Sequence, residues 1–291
     1  MAVIETAGVA ADPVTGRVEG PARWLRHLEV ALPAGMIALV VLACVVGPLV
    51  LPIPAPTGGS VLESYLPAFS RGHLLGTDPN GNDILSRILY GGRSSLTVAV
   101  AVNLLGLAVG GMLGALSGYL GGVVDTVIMR VLDVLIAFPS LVLTLAVAQS
   151  LGPSQTNTVL ALAFFSVPAY ARIARSATLR LRELPFMAAA QLCGTPWWRV
   201  LLRHVAPNIA PQLITFGMLG MGIVIVIEGA LSFLGLGIPP PAPSWGNMIA
   251  QGQQSLSATP MLVVWPCLVL FVTVLAFNLL GETLRARWSG R

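Results

Sequence analysis

The sequence predicts an all-α, polytopic membrane protein with about six transmembrane helices. Three observations predict it. Hydrophobic residues make up 55% of the chain and charged residues 10%, against about a quarter charged in a soluble domain. The apolar runs reach the ~20 residues a helix needs to cross a hydrocarbon core about 30 Å thick. The positive charge is all Arg and gathers beside those runs, a distribution that marks topology rather than a nucleic-acid surface.

Residues 1–29 are polar and rich in Gly, Pro and Thr, and they read as a cytoplasmic tail. The tail ends in a basic anchor, Arg17, Arg23 and Arg26, with Trp24 suited to the interface. Residues 30–291 read as one transmembrane domain. Its first span is expected over about 30–51. A cleaved signal peptide is the alternative, but the apolar run is longer than a signal core and more spans follow. Residues 52–92 read as an extracytoplasmic segment, opened by the Pro- and Gly-rich LPIPAPTGGS. Asp78-Pro79-Asn80-Gly81 has turn chemistry, Asn82 or Asp83 can cap a short helix, and Gly91-Gly92 is expected to end it.

The second span is expected over about 95–116. Gly106, Gly110, Gly111 and Gly114 would let another helix approach closely. Gly118 to Gly122 reads as a turn. After it, Arg130 and Asp133 are three apart, so they can pair on one helix face or reach the interface separately. A third span is expected over about 140–151 and a fourth over 158–174.

Residues 175–208 follow. Here Arg172, Arg175, Arg180, Arg182, Arg199 and Arg203 face a single acid, Glu183, which places the loop in the cytoplasm. Pro185–Pro207 reads as two short helices around a break. Ala188, Ala189 and Ala190 favour helix, and Gly194 suits a left-handed C′ position. Thr195 can cap the second helix ahead of Pro196, and Pro207 closes the unit. Trp197 and Trp198 give it aromatic surface, and Arg199, Arg203 and His204 give it polar surface. The fifth span is expected over about 209–231, with Glu228 near its outer end as a gate or as a structural acceptor. Residues 232–258 read as an extracytoplasmic loop, with Trp245 as an interfacial anchor. The last span covers about 261–280, and Arg285, Arg287 and Arg291 place the carboxyl terminus inside as well.

Three stretches resemble permease subunits of ATP-binding-cassette importers. Ala189, Ala190, Gly194 and Pro207 fall in register with their EAA loop, EAAxxxG followed by nine residues and IxLP, and His204 and Asn208 match its H-x-x-P-N form. Ala188 stands where that family usually has Glu, and Ala206 where it usually has Leu. LGTDPNGNDILSRILYGGRSSL and SFLGLGIPPPAPSWG resemble signatures of the dipeptide, oligopeptide and nickel permeases, with Asn82 in place of the usual Arg. Phe138-Pro139-Ser140 resembles the family's turn into the third span.

The resemblance implies a type I importer fold in a bacterial inner membrane, with both termini cytoplasmic and one half of the pore supplied by this chain. It implies as partners a second permease, cytoplasmic ATPases that dock on the 185–207 knob, a peptide-delivering extracytoplasmic binding protein, and lipid. It leaves peptides and nickel as substrates, with peptides favoured. ATP and Mg are expected on the partners, with no cofactor on this chain. The sequence itself has no GxxxxGK[ST] phosphate loop and no nucleophile–base constellation. A lone secondary transporter is the other class of reading. It would be expected to show mid-span charges and internal repeats.

Overall fold

The computed structural model describes residues 23–70 and 72–289. The expectations placed on Arg17, Arg71 and Arg291, and on the side chains of Arg23, Trp24 and Arg26, lie outside the described residues. The helices are α1 (Arg23–Val50), α2 (Ile84–Leu120), α3 (Gly122–Ile136), α4 (Ser140–Leu151) and α5 (Gln155–Arg182). They continue with α6 (Pro185–Leu192), α7 (Trp197–Phe233), α8 (Trp245–Gln253) and α9 (Met261–Ser289). Among the described residues, α1, α2, α5, α7 and α9 are long and apolar enough to cross a membrane. Helices α3 and α4 make a sixth span only as a pair bent by 85°.

That bend corrects the expected third span. The 12 residues of α4 rise about 18 Å, too little to cross alone. Pro139 is extended (ψ 120°) and cannot donate to the ladder, so the Phe138-Pro139-Ser140 turn breaks a span internally. Helix α2 also differs from expectation, since it begins at Ile84 and takes in residues 84–92. Asp83 caps it, Oδ1 accepting from the Ser86 N–H at 2.7 Å. Gly91 and Gly92 do not end a helix. They lie inside α2, where a Cβ on Gly92 would come within 2.8 Å of the Trp245 ring. Trp245 is buried rather than interfacial, and its Nε1–H donates to the Ile88 carbonyl at 3.0 Å. The turn after α2 is confined to Gly121 and Gly122, both at positive φ.

The centre of the bundle is the crossing of α2 on α5. Gly106, Gly110, Gly114 and Gly118 recur every fourth residue, one face of a helix. A Cβ on Gly110 or Gly114 would overlap the carbonyl oxygens of Val167 or Ala171. On Gly118 it would lie 2.9 Å from the Arg175 oxygen. Deeper along the same crossing, the Tyr170 hydroxyl donates to Asn103 Oδ1 at 2.9 Å, and Asn103 Nδ2 donates to the Ala99 carbonyl at 2.8 Å. Gly217 and Gly220 of α7 leave room for this pair. Helix α1 is fastened to α2 through a proline defect. Pro48 cannot donate to the Cys44 carbonyl, and Arg93 Nε does so instead at 2.7 Å.

At one end of the bundle residues 51–83 fold onto α8. His73 Nδ1 lies 2.8 Å from Asp83 Oδ2. Arg87 is buried and donates to the Pro56 carbonyl at 3.2 Å and to Gln251 Oε1 at 3.1 Å, with Asp78 Oδ2 3.4 Å from its Nε. The loop expected over 232–258 contains a helix, α8 (Trp245–Gln253), capped by Ser244, whose Oγ accepts from the Asn247 N–H while Asn247 Oδ1 accepts from the Ser244 N–H. At the opposite end lie the last turns of α5, helix α6 and the first turns of α7.

The glycine seam sets a graded expectation. Gly114→Val forces α2 off the Ala171 carbonyl and should cost on the order of 1–3 kcal/mol, the range for overpacking. Gly111→Ala meets Leu213 at 3.4 Å, an ordinary contact, and should be neutral. Thermal melts of the detergent-purified protein check both, with a clear fall in midpoint expected for the first alone.

Candidate functional site

The segment 185–207 forms a knob with two unlike faces. Pro185 starts α6 where its missing N–H costs nothing. The helix ends in a Schellman arrangement: the Gly194 N–H donates to Gln191 O at 3.0 Å and the Thr195 N–H to Ala190 O at 3.2 Å. Gly194 has φ 70°, and nothing lies within 4 Å of the Cβ position. Thr195 does not cap the second helix. Pro196 takes the N-cap position in extended conformation, without a side-chain bond, and helix starts at Trp197.

Nor does Pro207 close the unit. A π-helical stretch, Leu201–Val205, widens the turn before it, and the Ala206 N–H reaches back five residues to Leu201 O. Pro207 therefore lies inside α7, just after the π-helical stretch, and the helix runs on unbroken to Phe233.

The inner face of the knob is anchored. Met187, Val200 and Val205 are fully buried, in one cluster with Tyr119, Ala174, Ala177 and Ile209. The outer face is apolar and bare, with Leu192 89%, Trp197 53% and Trp198 47% exposed. Arg199 stacks over the Trp198 ring at 5.1 Å, and Ala189, Arg203 and Pro207 are exposed around it. Ala190 and His204 are half-buried, with the His204 ring 6.4 Å from that of Phe186. Behind the knob, Arg180 of α5 donates to Gln212 Oε1 of α7 at 3.0 Å. The knob therefore hangs between two long helices that also touch each other.

The two acidic residues of α3 are partnered across the fold rather than along the helix. Asp133 is paired with Arg172 at 2.8 Å and not with Arg130. Asp125 accepts from Arg175 through both oxygens at 2.5 and 2.6 Å, and from the Ser117 hydroxyl. Spacing along one helix detects only partners three or four residues away. These partners are 39 and 50 residues distant. The pairs join α3 to α5 beside a cavity of about 400 Å³ that Arg130 also lines.

Glu228 stands apart, 31 residues after Trp197 on the same helix, about 46 Å at 1.5 Å per residue. It is fully buried, and its Oε1 accepts from the Ser232 hydroxyl at 2.7 Å. The Ser232 oxygen in turn accepts from the Ile238 N–H at 3.2 Å. This chain ties the end of α7 to the segment that follows it. Oε2 has no hydrogen-bond partner among the described residues. The cross-bundle groups Arg93, Asn103 and Tyr170 escaped sequence reading, because a single polar residue in an apolar run does not disclose its partner.

Residues 110–289 match the family model described as binding-protein-dependent transport system inner membrane component. The glutathione transport system permease protein GsiD of Pectobacterium atrosepticum is 43% identical over 216 residues, which cover 74% of this chain and 72% of that protein. GsiD of Escherichia coli O6:K15:H31 is 42% identical over 213 residues, covering 73% and 70%. Among solved structures, an inward facing conformation of the MetNI methionine ABC transporter superposes with a TM-score of 0.54 at 16% identity. It covers 68% of this chain and 95% of that one, a likeness of fold.

The open space around Gly194 isolates its conformational role. Gly194→Val should cost about 1–2 kcal/mol of local backbone strain and nothing in packing. Hydrogen exchange should show faster exchange of the amides at 194 and 195, with the thermal midpoint of the whole protein held. Gly194→Asn, which tolerates φ > 0, should keep most of that protection.

Proposed function

The chain belongs to the family of binding-protein-dependent transport system inner membrane components, and on that premise we propose that it supplies one half of the pore of a peptide importer. It is a permease subunit of an ATP-binding-cassette importer, of the dipeptide and oligopeptide branch, and it crosses the membrane several times. In the proposed assembly a second, related permease completes the pore. Partner ATPases hydrolyse ATP in the cytoplasm and dock on the knob at 185–207, and an extracytoplasmic binding protein delivers the substrate. Both termini are cytoplasmic in this arrangement. The nearby relatives are named for glutathione, a tripeptide, which favours short peptides over nickel.

One observation carries the coupling role: the knob exposes Leu192, Trp197 and Trp198 while Met187, Val200 and Val205 root it in the bundle. An exposed apolar patch rimmed by polar groups suits a protein contact, and Trp and Arg are the side chains that dominate such contacts. Because α7 continues out of the knob without a joint, a push on Trp197 reaches the span directly. Rigid-body movement of helices about such an element is an established form of switching. Here it would alternate access to the pore.

Co-purification from membranes with an ATPase assay tests this. The wild type should bring down ATPase subunits. Trp197→Ala/Trp198→Ala should lose them, or lose stimulated hydrolysis by at least tenfold, as expected for removal of two aromatic anchors worth over 1 kcal/mol each. Ala188→Glu, at an exposed position, should be tolerated. A wild type that purifies alone and moves solute into liposomes without ATP would replace this reading with that of a secondary transporter.

A further inference from the structure

The valines of α3 leave one side of the bundle bare. Val123, Val127, Val131 and Val134 are spaced four, four and three residues apart, which sets them in one stripe, and all four are exposed. Arg130 falls in the same stripe, three residues after Val127 and four before Val134, and is exposed as well. It borders the cavity of about 400 Å³ that Arg172 and Arg175 of α5 also line. That volume lies in the ~300–1,000 Å³ range of sites that enclose a ligand. Helix α3 starts at the knob end of the bundle, where Gly121 lies beside the Arg182 guanidinium. Side chains lean toward the start of their helix, so Arg130 points back toward that surface.

The cavity holds one cation more than its carboxylates answer. Asp125 gives both oxygens to Arg175, and Asp133 takes Arg172. Arg130 has neither an ion pair nor a hydrogen bond among the described residues. Three guanidinium groups thus meet two carboxylates, and one positive charge is left over. A guanidinium is matched to phosphate in shape and charge. The stripe itself is a poor seat for another helix. Helices in lipid approach each other over Gly, Ala, Ser and Thr, as α2 does on α5, whereas this stripe consists of four valines and an arginine. An unanswered cation set among branched apolar side chains matches the two ends of an anionic phospholipid.

We propose that α3 and α5 hold one anionic phospholipid, with its phosphate on Arg130 at the edge of the cavity and an acyl chain along Val131 and Val134. Arg172 and Arg175 lie ten and seven residues before the end of α5 at Arg182, about 15 and 10 Å at 1.5 Å per residue, so the site belongs to the leaflet on the knob side. That this leaflet is the cytoplasmic one rests on the importer reading above; the contact itself does not. Phosphate on a guanidinium gives short, charge-assisted bonds. A lipid seated there braces α3, whose two acidic side chains are already spent on α5.

The test is native mass spectrometry of the complex purified with the full chain, titrated with phosphatidylglycerol and, separately, with phosphatidylethanolamine. The wild type should take up one phosphatidylglycerol in preference. Arg130→Gln removes no contact within the chain, so it should fold, and it should raise the Kd for that lipid about fivefold, the usual loss for one basic residue at a membrane surface. Arg182→Gln removes an exposed cation at the same end but outside the cavity and should leave that Kd unchanged. Phosphatidylglycerol should raise the thermal midpoint of the wild type by linkage and not that of Arg130→Gln. Equal losses from the two variants, or equal uptake of the two lipids, would overturn the site in favour of general attraction to a basic surface. Displacement of the lipid by millimolar glycerol 3-phosphate would overturn it in favour of a soluble anion. Loss of the second permease from the Arg130→Gln complex would assign the stripe to a subunit interface instead. A chain that purifies alone removes the importer reading but gives the same lipid titration, so the two failures are separable.

Discussion

The contact of α2 with α5 is the constraint on which the rest of the bundle depends. In lipid there is no hydrophobic drive between helices, and close packing of backbones replaces it. Four glycines set four residues apart bring α2 against the carbonyls of Val167, Ala171 and Arg175. That proximity lets Tyr170 reach Asn103, and a buried polar pair with both partners satisfied fixes the register of the crossing. Glycine has no side chain to fill the gap if the helices part, so separation would leave both a void and two unsatisfied polar groups.

From that seam α5 acts as the spine. It meets α2, α3, α4 and α7 along its length and leads into α6 at its end. The ion pairs of Arg172 and Arg175 to α3 and the hydrogen bond of Arg180 to α7 are set along its last three turns. The residues that root the knob, Met187, Val200 and Val205, pack in a cluster that includes Tyr170, Ala174 and Ala177 of the same helix. Displacement of the knob therefore cannot be absorbed locally. A dense cluster transmits strain rather than yielding to it, and α7 carries the displacement on without a hinge.

Much of this was legible in the sequence, and what was not has a physical cause. The five long spans follow from hydropathy, and the helix–glycine–helix plan of the knob follows from Ala188–Ala190 and Gly194. Short-range rules succeed there because the competing influences are weak. The cap at Thr195 failed because Pro196, extended at the N-cap position, took its place. Gly91-Gly92 read as a terminator because glycine is poor in helices. Packing against Trp245 and Ser244 overrode that preference. The Arg130–Asp133 spacing allows an intrahelical pair, but Asp133 pairs at 2.8 Å with Arg172 of α5, 39 residues away in sequence, which no spacing along one helix could disclose. Contacts that bridge spans leave no periodic trace.

The prolines show why one span breaks and others hold. Each proline inside a helix orphans a carbonyl four residues back, and in lipid such a group must find another donor. Pro48 is tolerated because Arg93 serves Cys44. Pro207 is tolerated because the preceding π turn has already shifted the ladder by one residue. Pro139 instead stands between two helices, at the N-cap of α4, and the pair turns through 85° there. The break falls where Val127, Val131 and Val134 of α3 are exposed rather than packed, so bending there disturbs no core. A chain built around α5 can thus keep its coupling end rigid while α3 is held to α5 by the pairs of Asp125 and Asp133, and α4 by the burial of Ala148 in the core cluster that includes Ala161 and Leu162 of α5.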